Sequence, residues 1–120
     1  MELKRDLVKY IRDRAKSKYE KGTECHICAS TDNLDFHHFY SLSPLLRKWA
    51  TANRKKAKEV LEWRDEFIEA HMDELYKHAV TLCHTHHLAL HSIYGKDPGL
   101  GTAKKQARWV EIQRDKNGLV

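Results

Sequence analysis

Four close-spaced soft ligands come in two pairs that lie far apart in the chain, Cys25-His26-Ile27-Cys28 and Cys83-His84-Thr85-His86. Each pair has the spacing with which a short turn presents two ligands to one ion. Two such half-sites converge on a single tetrahedral zinc, the geometry of closed structural sites. The sequence holds three cysteines, all of them in these pairs. An odd count leaves one thiol over in any intramolecular disulfide scheme, so metal is the better reading. His86 is the expected fourth ligand. His84 and His26 stand at non-standard spacing and are read as surface residues.

Between the half-sites and just after the second lies another set of imidazoles, the adjacent His37 and His38 and the pair His87 and His91. Two histidines at i and i+4 point to the same side of a helix, so His87 and His91 can bind one cation while a residue from a facing strand completes the site. On a strand, neighbours point to opposite faces. One of His37 and His38 is therefore available to a metal and the other to substrate, a division of labour that suits metal-assisted hydrolysis. Any one of these histidines taken alone reads as packing or solvent-facing; four in this arrangement do not.

The elements that must position them follow from the pattern of apolar residues. Leu3, Leu7, Val8, Ile11, Ala15 and Tyr19 recur every three or four residues, predicting an amphipathic helix that ends at Gly22. Residues 1–21 carry eight Lys or Arg against four acids. That face reads as solvated or as a nonspecific phosphate-facing surface. Ser30-Thr31-Asp32-Asn33 is a turn before a strand over Leu34–His38. Ser43 followed by Pro44 is a helix start, and apolar residues from Leu45 to Leu75 continue at helical spacing as one helix or two. Residues 47–58 hold six bases and no acid, while 59–76 hold seven acids and one base, so the acidic half should face away from any nucleic acid. Ala79–Leu82 is a short apolar strand, a helix runs on from the histidine cluster through Ile93, and Thr102 caps a last helix with Ala103, Ala107 and Val110 on one side. Asp35 could orient a ligand but reads as a surface acid, and His71 reads as a core or surface histidine. Trp63 and Trp109 read as packing residues.

The succession CHIC, LDFHHF, HAVTLC, CHTHH and LALH, spanning residues 25–91, resembles the HNH nucleases of the His-Me finger, or ββα-metal, class. That resemblance implies an α+β, predominantly helical fold. A zinc-stapled ββα-metal core over 22–94 would hold a helical insertion over 43–76, flanked by a basic N-terminal helix (1–21) and a C-terminal helix (95–120), all in one nuclease domain. It assigns His37, His87 and His91 to a catalytic cation and His38 to the general base. The chain departs from the family pattern in three ways. The middle Asn is here His78, which is the second candidate for the base; the second zinc half-site ends in His86 rather than Cys; and the stretch between His38 and His78 is long. The resemblance further implies a divalent-cation-dependent DNA endonuclease leaving 5′-phosphate and 3′-hydroxyl ends, with small phage or mobile-element relatives.

The remaining observations bound this reading. The chain has 120 residues and mass 14.1 kDa, 41% hydrophobic and 32% charged, which suits a globular domain rather than a disordered or fibrous chain. No apolar run is long enough to span a bilayer, and the charged N-terminus is unlike a secretion signal, so a cytoplasmic location is expected, in a bacterial host if the gene is a phage's. A net charge of +5 and a pI near 9.1 favour an anionic partner, with duplex DNA first. Candidate DNA contacts are Lys55, Lys56, Lys96, Lys104, Lys105 and Arg108, with Arg47, Lys48, Arg54 and Lys58 on the insertion. One active site cuts one strand, so a monomer nicks and a double-strand break needs a homodimer or a second binding event. Three imidazoles with no carboxylate favour Mn²⁺, Co²⁺, Ni²⁺ or Zn²⁺ over Mg²⁺ as the catalytic cation, beside the structural Zn²⁺. The rival readings are a zinc-stabilised DNA-binding module without activity and a nuclease acting on RNA.

Overall fold

The computed structural model describes residues 4–119. Helix α1 (Lys4–Ala15) runs into a single 3₁₀ turn, Lys16–Lys18, and the chain is extended at Tyr19. The N-terminal helix thus stops four residues short of Gly22, and Tyr19 leaves the helical stripe. Leu3 lies outside the described residues. Ile11 and Ala15 are fully buried, as the stripe requires.

Strand β1 (Leu34–His38) pairs antiparallel with β2 (Ala79–Cys83), from Leu34 opposite Cys83 to His38 opposite Ala79. The segment between them folds as two helices, α2 (Leu42–Ala52) and α3 (Val60–Ala70), followed by a π-turn over Asp73–Lys77. Arg54, at φ 52, breaks the run between them. Helix α2 begins two residues earlier than Ser43-Pro44 suggests, with Ser41 at the N-cap. Pro44 still falls in the first turn, where its missing N–H costs no helical hydrogen bond. The Ser41 hydroxyl caps nothing; it donates to Pro98 O at 2.9 Å and ties the helix start to the loop before the last helix.

Helix α4 (His84–Tyr94) follows β2 directly, and α5 (Ala103–Lys116) closes the chain. Thr102 stands at the N-cap of α5 without capping it; its hydroxyl donates to Gly99 O and receives the Gln106 amide. Two apolar cores result. One joins α1 to α2, α3 and the π-turn through Ile11, Leu46, Trp63, Phe67 and Leu75. The other joins the Cys25–Cys28 loop, the hairpin, α4 and α5 through Ile27, Leu82, Leu90 and Val110. Trp63 is a core residue, and Trp109 packs against the second core. No helix among the described residues is long and apolar enough to cross a membrane.

Candidate metal centres and the groove beside them

The first half-site is a tight turn. Ala29 N–H donates to Cys25 O at 2.8 Å with Ala29 in the left-handed region at φ 63, and Cys25 N–H donates to Ser30 O at 2.7 Å. His26 N–H bonds Thr81 O at 2.9 Å and fastens the turn to β2. The hairpin register carries Cys83 to the same end, and α4 starting at once turns His86 back toward it. The Cys28 and Cys83 sulfurs are 3.9 Å apart, and His86 Nδ1 is 3.2 Å from Cys83 Sγ and 3.9 Å from Cys25 Sγ. A tetrahedral zinc about 2.3 Å from sulfur and 2.0–2.1 Å from nitrogen separates its ligands by roughly 3.4–3.8 Å, so the four donors fit that ion. Burial raises the Cys28 thiol. At Cys25 burial acts the same way, but backbone hydrogen bonds from Cys83 on β2 and from Cys28 and Ile27 in the turn outweigh it and the thiol is held below its ordinary value. His26 and His84 take other partners: His26 Nε2 lies 2.7 Å from Glu111, and His84 Nδ1 lies 3.0 Å from Asp35.

The second centre forms where β1 meets α4. Asp35 and His37 point to the α4 side of the hairpin, as the period of two requires. His37 Nδ1 is 3.1 Å from His87 Nε2, which is 3.0 Å from His91 Nε2. The other nitrogen of each ring faces an acceptor. His37 Nε2–H donates to Gln106 Oε1 at 2.8 Å, His87 Nδ1–H to Asp35 Oδ2 at 3.0 Å, and His91 Nδ1–H to Gly95 O at 2.7 Å. These bonds set the tautomers. The three nitrogens that face one another are then lone pairs with no proton between them, an arrangement that repels itself unless a cation lies among them. A tetrahedral ion needs roughly 3.4 Å between ligand nitrogens, close to what is found. Holding the outer nitrogen is how proteins orient metal-binding histidines.

The electrostatics agree. Burial pushes His37 down to about 4, with His87 and His91 adding to it against the Gln106 bond, so the ring stays neutral and its lone pair free. His87 is likewise lowered, mainly by burial, although Asp35 opposes the shift. Burial would raise Asp35, but its bonds from His84 and His87 prevail and keep it ionised below the usual carboxylate range. Asp35 thus holds the rings of His84 and His87 in place rather than standing free on the surface.

Sequence reasoning missed Gln106. It is 0% exposed, accepts from His37, and donates to Phe39 O at 3.1 Å and Thr102 Oγ1 at 2.9 Å. The available signal was a polar residue on the Ala103–Val110 face of α5, since a buried amide there must have partners.

The other predicted residues lie elsewhere. His38 points to the opposite face of β1 from His37, against the rings of Tyr19 and Phe36 at 5.0 and 5.3 Å. Its Nε2 is buried without a hydrogen-bond partner, as is Tyr19 Oη. Burial, helped by the Arg12 charge, lowers His38 to about 4. His78 is exposed at the end of the π-turn, its ring against Tyr40 at 5.6 Å, away from the three-histidine centre. His71 is a core histidine stacked on Phe67. Among the candidate DNA contacts, Lys96 borders the groove described next. Lys56, Lys104, Lys105 and Arg108 are exposed away from it, and Lys55 is bonded to Glu66 at 3.1 Å and lies over Trp49.

A cavity of about 920 Å³ opens beside the second centre, bordered by His87 and His91, by Asp35 and His84, and by Tyr19 stacked on Phe36 at 4.5 Å. It opens His87 and His91 to solvent.

A family model described as the nicking endonuclease family, from phage T5, matches residues 1–118. The chain belongs to that family. Membership makes it an endonuclease, a phosphodiester hydrolase that nicks DNA, and the match takes in the basic N-terminal helix and helices α2 and α3 as well as the cysteines and histidines. No solved structure matches the chain.

Proposed function

We propose that this family member nicks duplex DNA by metal-assisted hydrolysis of the HNH, ββα-metal type. Zinc at Cys25, Cys28, Cys83 and His86 would staple the hairpin to the loop before it, and a catalytic divalent cation would be held by His37, His87 and His91. The observation that carries this is the triad of converging imidazole lone pairs, each with its outer nitrogen already bonded.

When bound, a divalent cation there polarises a phosphoryl oxygen and stabilises the departing oxyanion. Gln106, Asp35 and the Gly95 carbonyl keep the three imidazoles in the ligating tautomer. His38 is the general base of this reading. Its ring packs against Tyr19 and Phe36, which border the cavity, and burial keeps it unprotonated at neutral pH, the state a base needs, while making it a weaker base than a free imidazole. A second reading rests on His84, whose side chain is 61% exposed on the cavity and oriented by Asp35. One centre attacks one strand, so a monomer suffices for a nick.

The test is relaxation of supercoiled plasmid with zinc-loaded protein and added Mn²⁺. Parent protein should nick and His91→Ala should not. His38→Ala should lose about 10²–10⁴ in rate with cation affinity kept. Loss on His84→Ala instead would move the base to His84. No nicking by the parent under any cation would refute the reading.

A further inference from the structure

Resting on the nuclease reading above, we infer that the groove between the N-terminal helix and α4 is the track for the phosphates of the nicked strand. Its cationic walls are Arg12, Lys16 and Lys21 on one side and Lys96 on the other.

These four bases border the same cavity as His87 and His91. Arg12 and Lys16 lie one turn apart on the same face of the N-terminal segment, and Lys96 belongs to the turn that follows α4. The cations thus come from segments far apart in sequence and share the border of one cavity with two of the cation ligands. The acid on the cavity's border is Asp35, whose carboxylate is already engaged by His84 and His87. The field in the groove is therefore positive, as a phosphate backbone requires.

The fold also sorts the bases of the N-terminal segment. Arg14 is turned the other way and spent on Asp65, with Nε 2.9 Å from Oδ1 and Nη2 3.4 Å from Oδ2, which anchors α1 on α3. Arg12 and Lys16 are exposed and make no side-chain hydrogen bond or ion pair among the described residues, while Lys21 holds only the Leu34 carbonyl, at 3.1 Å. On the insertion, by contrast, Lys55 is bound to Glu66. Leu34, Leu88 and the Tyr19–Phe36 stack add apolar lining against which sugars can lie. A backbone passing between the two walls crosses the histidine centre, which places a phosphodiester where it can be cut.

The experiment measures binding of a fluorescein-labelled duplex to zinc-loaded protein without added catalytic cation, by anisotropy, from ~50 to ~200 mM salt. Each lost phosphate contact lowers the slope of log K against log[salt] by about 0.9. Lys16→Gln and Lys96→Gln should each lower it by about that amount, and the double variant by about twice as much, with melting temperatures unchanged because both side chains are exposed. Lys104→Gln/Lys105→Gln, on α5, should keep the parent slope. Parent slopes in both groove variants, or a loss confined to the α5 variant, would overturn the track. Plasmid nicking separates the two ideas: a parent that binds with the predicted slopes yet never nicks keeps the track and refutes the nuclease centre, whereas a parent that nicks while the groove variants bind unchanged refutes the track alone.

Discussion

Replacing Gln106 with Leu should damage the second candidate metal centre without touching any of its three histidines. The side chain is fully buried and its amide makes three bonds, to His37 Nε2, Phe39 O and Thr102 Oγ1. Leucine fills nearly the same volume, so packing changes little, and the cost comes from polar groups. His37 is 3% exposed, and its Nε2–H would lose its acceptor in a place that water does not reach. A buried donor left unpaired costs about 1–3 kcal/mol. The Phe39 carbonyl would lose a donor as well, which puts the total near 2–3 kcal/mol. For a domain of this size that lowers the melting temperature by about 6–12 °C. The imidazole also escapes part of the penalty by moving its proton to Nδ1, and that proton occupies the lone pair the cation needs. Cation affinity should therefore fall about 10–100-fold, as it does when outer-nitrogen partners of metal histidines are removed. The assay is thermal unfolding by circular dichroism together with calorimetric titration of Co²⁺ into protein already holding its structural zinc. Gln106→Glu keeps an acceptor for His37 and should hold more of the affinity than Gln106→Leu. Parent-like Co²⁺ affinity in Gln106→Leu would refute the claim that this amide sets the tautomer.

Three further outcomes are expected. Cys28→Ser should abolish zinc retention and leave a poorly folded chain, because a core this small relies on the staple; elemental analysis and melting decide it, and a zinc-free parent melting like the variant would contradict it. His37 and His38 are both lowered to about 4 in the fold against an ordinary 6.5, so between those values the unfolded chain binds more protons and stability falls as pH falls. The fall should begin below about pH 6.5, reach a slope of roughly 3 kcal/mol per pH unit for the two groups together, and level off toward pH 4. His38→Phe, which suits the aromatic site, should halve that slope in denaturant titrations with zinc retained, and an unchanged slope would mean that His38 is not held neutral by burial. Nicking should be stronger with Mn²⁺, Co²⁺ or Ni²⁺ than with Mg²⁺, because three imidazoles are nitrogen ligands and Mg²⁺ keeps its waters; activity with Mg²⁺ alone would place oxygen ligands at the centre.

Local spacing in the sequence was enough to specify the donor pairs. Cys25 and Cys28 share a turn, Cys83 and His86 a strand end and the first turn of a helix, and His87 and His91 one helix face, all within the reach of the backbone's own periodicities. The same periodicity requires His37 and His38 to face apart, but it is symmetric between them. Which one meets α4 depends on the side of the hairpin on which that helix docks, and burial of Leu90 beside Leu82 decides that. Gln106 and Gly95 serve the centre only because α5 and the end of α4 arrive beside it, and neither residue type announces such a role. Nor does the pattern of the N-terminal segment separate Arg12 and Lys16, which border the cavity, from Arg14, which binds Asp65. A helical stripe records which face is apolar, whereas the partner of each polar residue is set by long-range packing. Tyr19 shows the limit most directly: its spacing places it on the α1 stripe, yet the chain leaves the helix before it, and its ring closes over His38 because Phe36 and Tyr76 offer it an aromatic site there.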